Sequence, residues 1–461
     1  MIRLICKNFL RRRVAGSSPL SLSHGCVFST SSLKPTSETS NSADPRSLTV
    51  QYLENSCGLP LESAILASKK LHIATTDAPD SVLRLLKAHG LSQTFIKKFI
   101  VTRPSILMAD PEKTLKPNIE LFASMGFSGT NLAKIISKYP RILETDAPAV
   151  VGFFRAHGFT EKQMSVLTMK RPVLYGCNAH KVFKPKLEYL KSLGFSDAEI
   201  AKILSTEPYL LARSLENQIV PNVQLLKRIV GSDENVLKVI RACYCLIEFD
   251  LGTMMEPNIA VLRGCGVPES RVLKLIMIQP NTFVIKTHRF KEIVEEVLKL
   301  GFDPANYLFI LAIRSLALMS KSLWEQKLEA YVSFGLTKDE IILAFKSQPM
   351  FMINSEKKIR KLMDFFVNVL YLEPSRISRN PNLMLLSLER RIIPRCSVLQ
   401  LLMSKKLITG NVNIISVFKI TEKMFLERYV NKFHCVVPEV VQAHQGKIEF
   451  KGFPSDGAMS S

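Results

Sequence analysis

Several kinds of chemistry are missing from this chain. No Cys-x-x-Cys pair occurs among its nine cysteines, and Cys243-x-Cys245 has the wrong spacing for a zinc knuckle. An odd, scattered set of cysteines reads as reduced, small hydrophobic side chains rather than as a disulfide framework or a metal site. No Gly-x-x-x-x-Gly-Lys-[Ser/Thr] loop is present, and Gly264-Cys265-Gly266 lacks the third glycine and the strand context of a dinucleotide loop. His434-Cys435 has no acidic partner at a suggestive spacing, so no catalytic constellation and no cofactor is read from the sequence. One tryptophan in 461 residues argues against a base-stacking platform of the single-strand type. No apolar run reaches the length of a membrane span; the best candidate, "YLFILAIRSLALM", is interrupted by Arg314.

Acidic residues are also in short supply. The formal net charge is +22, the pI is about 9.6, and no acid precedes Glu38. Such a field favours a polyanion, nucleic acid first and an anionic membrane surface second. The first stretch, "MIRLICKNFLRRRVAGSSPLSLSHGCVFSTSSLKP", carries six basic residues, is rich in serine and can form a short amphipathic helix. Residues 1–46 therefore read as an organellar transit peptide and leader. Early arginines favour the mitochondrion, and serine content keeps the chloroplast as the alternative. Removing those six charges leaves 56 basic against 40 acidic residues, still +16. The hydrophobic fraction of 47% is enough for a folded core.

Length alone suggests about three domains, but a repeat overrides that prior. A glycine followed by Phe, Leu or Val and then a polar residue or proline recurs at Gly90, Gly126, Gly158, Gly194, Gly266, Gly301 and Gly335. Fourteen residues after each stand Pro104, Pro140, Pro172, Pro208, Pro280, then Ser315 in place of proline, then Pro349. A degenerate unit lies near Gly231, and weaker ones near Gly58 and Pro381. Each unit reads in the same physical terms. The glycine stops one helix in the left-handed conformation, and a following Ser, Thr or Asp caps the next. Capping boxes are expected at Ser196/Glu199, Thr160/Gln163 and Thr337/Glu340.

Apolar residues then fall on one helical face six, nine and ten positions past the glycine, as in Leu132/Ile135/Ile136 and Tyr307/Ile310/Leu311. The proline forbids continuation and starts a tight or 3₁₀ turn that buries pairs such as Ile142/Leu143. A second helix follows, with Pro117, Pro185 or Pro257 read as its first-turn residue. The fold class is all-α: an α-solenoid superhelix of about nine helix–Pro turn–helix repeats of 32–37 residues over 47–405. Residues 406–461 read as a C-terminal extension, with "GKIEFKGFPSDGAMSS" unstructured.

This "GFS…(helix)…xPxLL" unit, repeated along a basic chain with a targeting segment, resembles the mitochondrial transcription termination factor (mTERF) family, in particular its plant branch. The resemblance implies a curved, left-handed superhelix whose basic face binds nucleic acid in organelles. It implies roles in transcription termination or regulation, intron splicing or ribosome biogenesis. It favours duplex DNA, with structured RNA as the alternative; a protein-binding scaffold is the reading of a different class. The expected state is a monomer with no membrane span, with other organellar gene-expression proteins as further candidate partners.

Candidate contacts follow from charge. Lys98, Lys134, Lys202 and Lys274 stand eight residues past their glycines, on the outward face. Arg103, Arg141 and Arg171 flank the repeat prolines. From Lys357 to Lys406 eleven basic residues face three acids, and within this segment Arg379, Arg390, Arg391 and Arg395 are the expected phosphate contacts. His89 and His157, each just before a repeat glycine, read as helix-end residues.

Overall fold

The computed structural model describes residues 47–408 and 412–453, so the leader at 1–46 and the last eight residues lie outside the described residues. Within the described residues every regular element is helical. The chain divides into two compact halves, one ending at Gly252 and one beginning at Thr253.

In the first half, the first helices of successive repeats are Gln93–Thr102, Gly129–Lys138, Glu161–Lys170, Asp197–Thr206 and Asp233–Ala242. Each is followed by a short 3₁₀ turn: Pro104–Met108, Pro140–Glu144, Pro172–Gly176, Pro208–Ala212 and Tyr244–Glu248. The proline holds the residue before it extended, as at Tyr139 with φ −148° and ψ 87°. Turn residues Ile142 and Leu143 are fully buried, worth about 2 kcal/mol each by area removed from water. The expected capping boxes at Ser196, Thr160 and Thr337 are all formed. Repeat glycines such as Gly126 (φ +85°) and Gly194 (φ +97°) adopt the left-handed conformation that ends the helix before them. His89 and His157 hydrogen-bond through Nδ1 to the carbonyls of Leu85 and Phe153, four residues back at their helix ends.

The degenerate repeat at Gly231 is intact. Its capping Ser232 follows the glycine directly instead of after one spacer residue, so Tyr244 stands where proline stands elsewhere. In both cases the turn starts twelve residues after the cap: Ser196 to Pro208, Ser232 to Tyr244. The cap is the origin of the interval, and the glycine only precedes it.

The second half continues with Glu269–Ile278, Pro280–Phe283 and Thr287–Lys299. The Gly301 repeat departs from expectation. Its first helix runs Tyr307–Ala317 from a cap at Asn306, three residues later than assumed. Ser315 is therefore not the proline equivalent but a buried helix residue, donating to the Pro349 carbonyl at 2.9 Å. Tyr307 is partly exposed, and Ile310 and Ile313 fill the core instead. With no proline to stop it the helix outruns the usual point, and Lys321–Val332 follows with no 3₁₀ turn between. Among the described residues no single helix is long and apolar enough to cross a membrane; Tyr307–Ala317 and Lys321–Val332 meet at 106°.

Of the prolines expected to open second helices, Pro185 stands in the first turn of Lys184–Ser192, but Pro117 and Pro257 do not open theirs. Helical structure begins at Pro111, six residues before Pro117, and Pro257 lies inside Leu251–Gly264. Ahead of three such prolines the backbone widens into a π turn: Leu115 donates to Asp110, Ile219 to Ser214 and Ile392 to Ser387, each five residues back. Widening relieves the clash between a proline ring and the carbonyl four residues earlier.

A buried polar side chain next to these prolines joins one repeat to the next. Asn118 Nδ2 donates to Leu143 O and Thr145 O, both at 2.8 Å. Asn222 reaches Ile247 O at 3.1 Å and Phe249 O at 2.6 Å, and Asn258 reaches Phe283 O at 2.9 Å and Ile285 O at 2.8 Å. Lys186 and Lys327 do the same with one bond each, to Leu211 O at 2.5 Å and Met352 O at 2.7 Å. The acceptors end the following repeat's 3₁₀ turn, whose last carbonyls have no partner within the turn.

The array closes with Glu356–Asp364 and Phe365–Val369, then Pro374–Ser378, Pro381–Leu385, Leu388–Ile392 and Ile393–Ser404. Tyr371 (φ +53°) and Lys406 (φ +56°) take the left-handed helix-stop positions where earlier repeats place glycine. For side-chain-bearing residues this costs about 1 kcal/mol each. Beyond them Ile414–Lys419 and Glu439–His444 are helical, and Val440 and Ala443 are fully buried. "GKIEF" is not unstructured as expected: Phe450 packs on Phe365 at 5.9 Å, and Lys451 N donates to Gln400 at 3.1 Å. An apolar patch left on Phe365 by the last full repeat is what this segment covers.

Two outcomes follow. Asn258→Ala should lower unfolding stability by about 2 kcal/mol in urea titration, because two buried carbonyls lose their donor. Asn258→Asp should cost more, since a carboxylate offers only acceptors to those carbonyls. Burial pushes the Lys327 ammonium down to about 8, below the ordinary value of about 10.4 in the unfolded chain. Between these values the unfolded state holds more protons, so this residue's contribution to stability rises with pH. Relative to Lys327→Met, the natural protein should gain about 2 kcal/mol from about pH 8 to about pH 10, read from denaturation midpoints.

Candidate nucleic-acid interface

Counted from the cap, Lys98, Lys134 and Lys202 all fall six residues into their repeats, and all three are exposed. Their helices are held by the opposite face, where Ile96/Phe99/Ile100, Leu132/Ile135/Ile136 and Ile200/Ile203/Leu204 are at most 3% exposed. The lysines thus project from rigid helix midpoints. None has a carboxylate within ion-pair distance among the described residues; Lys134 approaches only Asn131, at 3.5 Å. The register is interrupted by Val166 in the Gly158 repeat and resumes at Lys238 in the Gly231 repeat. Lys238 escapes a count made from the glycine and is found by one made from the cap. It is paired with Glu234 at 2.7 Å. Lys274, in the second half, is exposed at the same position of its own repeat.

The arginines beside the prolines separate into two kinds. Arg141 is exposed. Arg103 makes a two-bond ion pair with Glu144 of the next repeat, one bond at 3.0 Å. Arg171 lies over the Tyr209 ring of the next repeat at 4.5 Å and is only partly exposed. Both positions fasten neighbouring repeats, as Arg241 does with Glu199 at 2.8 Å. Hydrogen bonds from Arg241 and from the Ser196 backbone hold the Glu199 carboxyl down at about 2.

The basic segment from Lys357 to Lys406 is less free than its count suggests. Arg395, expected to contact phosphate, is 1% exposed. Its guanidinium donates to Val417 O at 2.7 Å, Ile420 O at 2.9 Å and Glu422 at 2.7 Å, and stacks on Phe425 at 4.5 Å. Burial lowers its pKa. Arg391 is half-buried and donates to Phe418 O at 3.2 Å and Ile420 O at 2.5 Å. Both arginines thus do for Ile414–Lys419 what Asn118 does for its 3₁₀ turn, and their expected role as phosphate contacts is corrected. Burial alone would raise the Glu422 carboxyl, but bonds from Arg395 and His444 outweigh it and hold it below the usual range. Lys361 is paired with Glu389, and Arg360 with Glu356 at 2.9 Å. Arg379 and Arg390 are exposed, as are Lys357, Lys405 and Lys406; none of these five has an ion pair among the described residues.

Among the described residues no group of three or more His, Cys, Asp or Glu side chains is placed to hold a metal ion. Cys243 and Cys245 lie with their sulfurs 3.3 Å apart at the start of a 3₁₀ turn. What the geometry offers is cations presented at intervals by a helical scaffold.

That combination defines a helical-repeat binding protein built from helix–3₁₀–helix units. The mTERF family model matches residues 83–310, 151–366 and 313–426. The chain belongs to the mTERF family, whose members are nucleic-acid-binding factors of organelles. No curated protein sequence matches it.

Arg395→Gln should destabilise the C-terminal end of the array by about 3 kcal/mol, because it strips several buried carbonyls of their donor and removes the partner of Glu422. Arg390→Gln should change stability by less than about 0.5 kcal/mol. Differential scanning calorimetry of the two variants checks the distinction.

Proposed function

We propose that the protein binds double-stranded DNA in an organelle, the mitochondrion before the chloroplast, and acts in termination or regulation of transcription there. The observation that carries the reading is the repeated register of Lys98, Lys134 and Lys202, exposed and without carboxylate partners. Cations fixed at one position in three of four neighbouring repeats meet a phosphate backbone by counterion release and carry no base information themselves. Arg379 and Arg390 extend the same chemistry in the second half, and Lys274 and Arg141 are further contacts. Arg103 and Arg171 are committed to neighbouring repeats and contribute field rather than contact. Family membership supports nucleic acid as the partner.

The test is the salt dependence of duplex binding by the mature chain. Log Kd against log salt should be linear, and Lys98→Glu/Lys134→Glu/Lys202→Glu should lower its slope by about 3. No salt-dependent binding to duplex DNA or RNA would replace this reading with a protein-binding scaffold. Tighter binding to structured RNA than to DNA would move the function to splicing or ribosome assembly.

A further inference from the structure

Nine glycines from Gly58 to Gly335 end the helices of successive repeats with positive φ. The rule breaks only at the next two stops, Tyr371 and Lys406, the only non-glycine residues with positive φ among the described residues. A bulky residue in this conformation is an outlier, and glycine would remove the strain at once. Strain kept where it is so easily relieved points to use of the side chain.

The two side chains are unusual in a further way. Tyr371 is 86% exposed, the most exposed large apolar side chain among the described residues. The backbone beneath it is firmly set: Leu370 N donates to Phe365 O at 3.0 Å, and Leu372 N to Phe366 O at 2.9 Å. Its exposure is therefore imposed by an ordered stop and not by a loose loop. Lys406 is exposed, with Lys406 N bonded to Met403 O at 2.8 Å and Leu407 N to Leu402 O at 2.9 Å. Each residue stands two positions past the end of a second helix, at Val369 and Ser404 respectively, and an ion pair of Lys361 with Glu389 joins these two helices. An aromatic ring and an ammonium are thus held one repeat apart, at corresponding ends of neighbouring helices. Arg376 and Arg379 follow Tyr371 within eight residues.

We infer that Tyr371 and Lys406 form a contact pair for nucleic acid, Tyr371 stacking on a sugar or base face and Lys406 taking an adjacent phosphate. The inference rests on the nucleic-acid reading above and adds to it an uncharged contact that counterion release does not supply. The surrounding cations favour a polyanion over an apolar peptide as the occupant. A single ring adds one stacking contact without making a single-strand platform.

The experiment uses the mature chain and a fluorescein-labelled DNA duplex, with an RNA duplex of the same sequence in parallel. Binding is read by anisotropy over a salt series. Tyr371→Gly should weaken binding about five- to a hundredfold at every salt concentration, leave the log–log slope unchanged, and not lower Tm. Tyr371→Phe should bind as the natural protein does. Lys406→Gly should reduce the slope by about 1. If Tyr371→Gly binds as tightly as the natural protein, or loses binding together with Tm or slope, the stacking contact is wrong while the broader reading stands. If the natural protein binds neither duplex, the broader reading falls first.

Discussion

The array depends on one recurring hydrogen bond: a buried donor from the second helix of one repeat, ending on the carbonyls that close the 3₁₀ turn of the next. A 3₁₀ turn that is not continued as a helix leaves its last carbonyls without partners, and burying them unpaired would cost about as much as the apolar contacts gain. Asn118, Asn222 and Asn258 meet that need with two bonds each and Lys186 and Lys327 through Leu211 O and Met352 O, while Arg395 serves the end of Ile414–Lys419 in the same way. Where the next repeat has no 3₁₀ turn, the donor is missing too: at Gly301−8, Ile293 is buried in its place. The donor is not universal: ahead of the Pro104–Met108 and Pro172–Gly176 turns the same position holds the buried Val82 and Val150.

This bond also explains why the sequence misleads about charge. A lysine or arginine on a helix next to a proline looks like a surface cation. In this fold that position faces inward, and its cation replaces asparagine as a donor to carbonyls. Arg395 was read as a phosphate contact for that reason, and Arg391 with it. The physical cue lies in the register: Asn118, Lys186, Asn258 and Lys327 all stand eight residues before a repeat stop. Lys98, Lys134 and Lys202 are the opposite case, placed outward by the apolar triplet on the other side of a short amphipathic helix.

Much of the fold was legible because its grammar is local. Glycine stops, Ser and Thr caps and proline turns act through φ and a few neighbouring bonds, so reading Gly194, Ser196 and Pro208 in order gives a repeat. What stayed hidden is set by non-local packing. The Gly301 repeat shifts its cap to Asn306, and nothing at Ser315 itself announces that an offset of 14 has become accidental. The π turns ahead of Pro117 and Pro221 arise from a clash inside helices that begin several residues before the proline. The C-terminal segment around Phe450 is ordered by Phe365, a partner 85 residues away. Of the candidate contacts, the helix-midpoint lysines were readable from periodicity; Tyr371 was not, because an exposed aromatic has no period.

The twelve-residue interval from cap to turn, shared by seven repeats, has a consequence for how such arrays vary. Twelve residues separate Ser128 from Pro140 just as they separate Ser232 from Tyr244, yet glycine-to-glycine spacing ranges from 32 to 37. Length change is confined to the connections and the second helix. The repeat from Gly126 to Gly158 is four residues shorter than its neighbours, and its second helix, Ala147–Ala156, is correspondingly brief. Four residues are close to one helical turn, so such a loss removes a turn while nearly conserving the angular phase of everything after it. Insertions and deletions in whole turns are therefore the natural currency of divergence in this scaffold: they alter its reach without rotating its outward face.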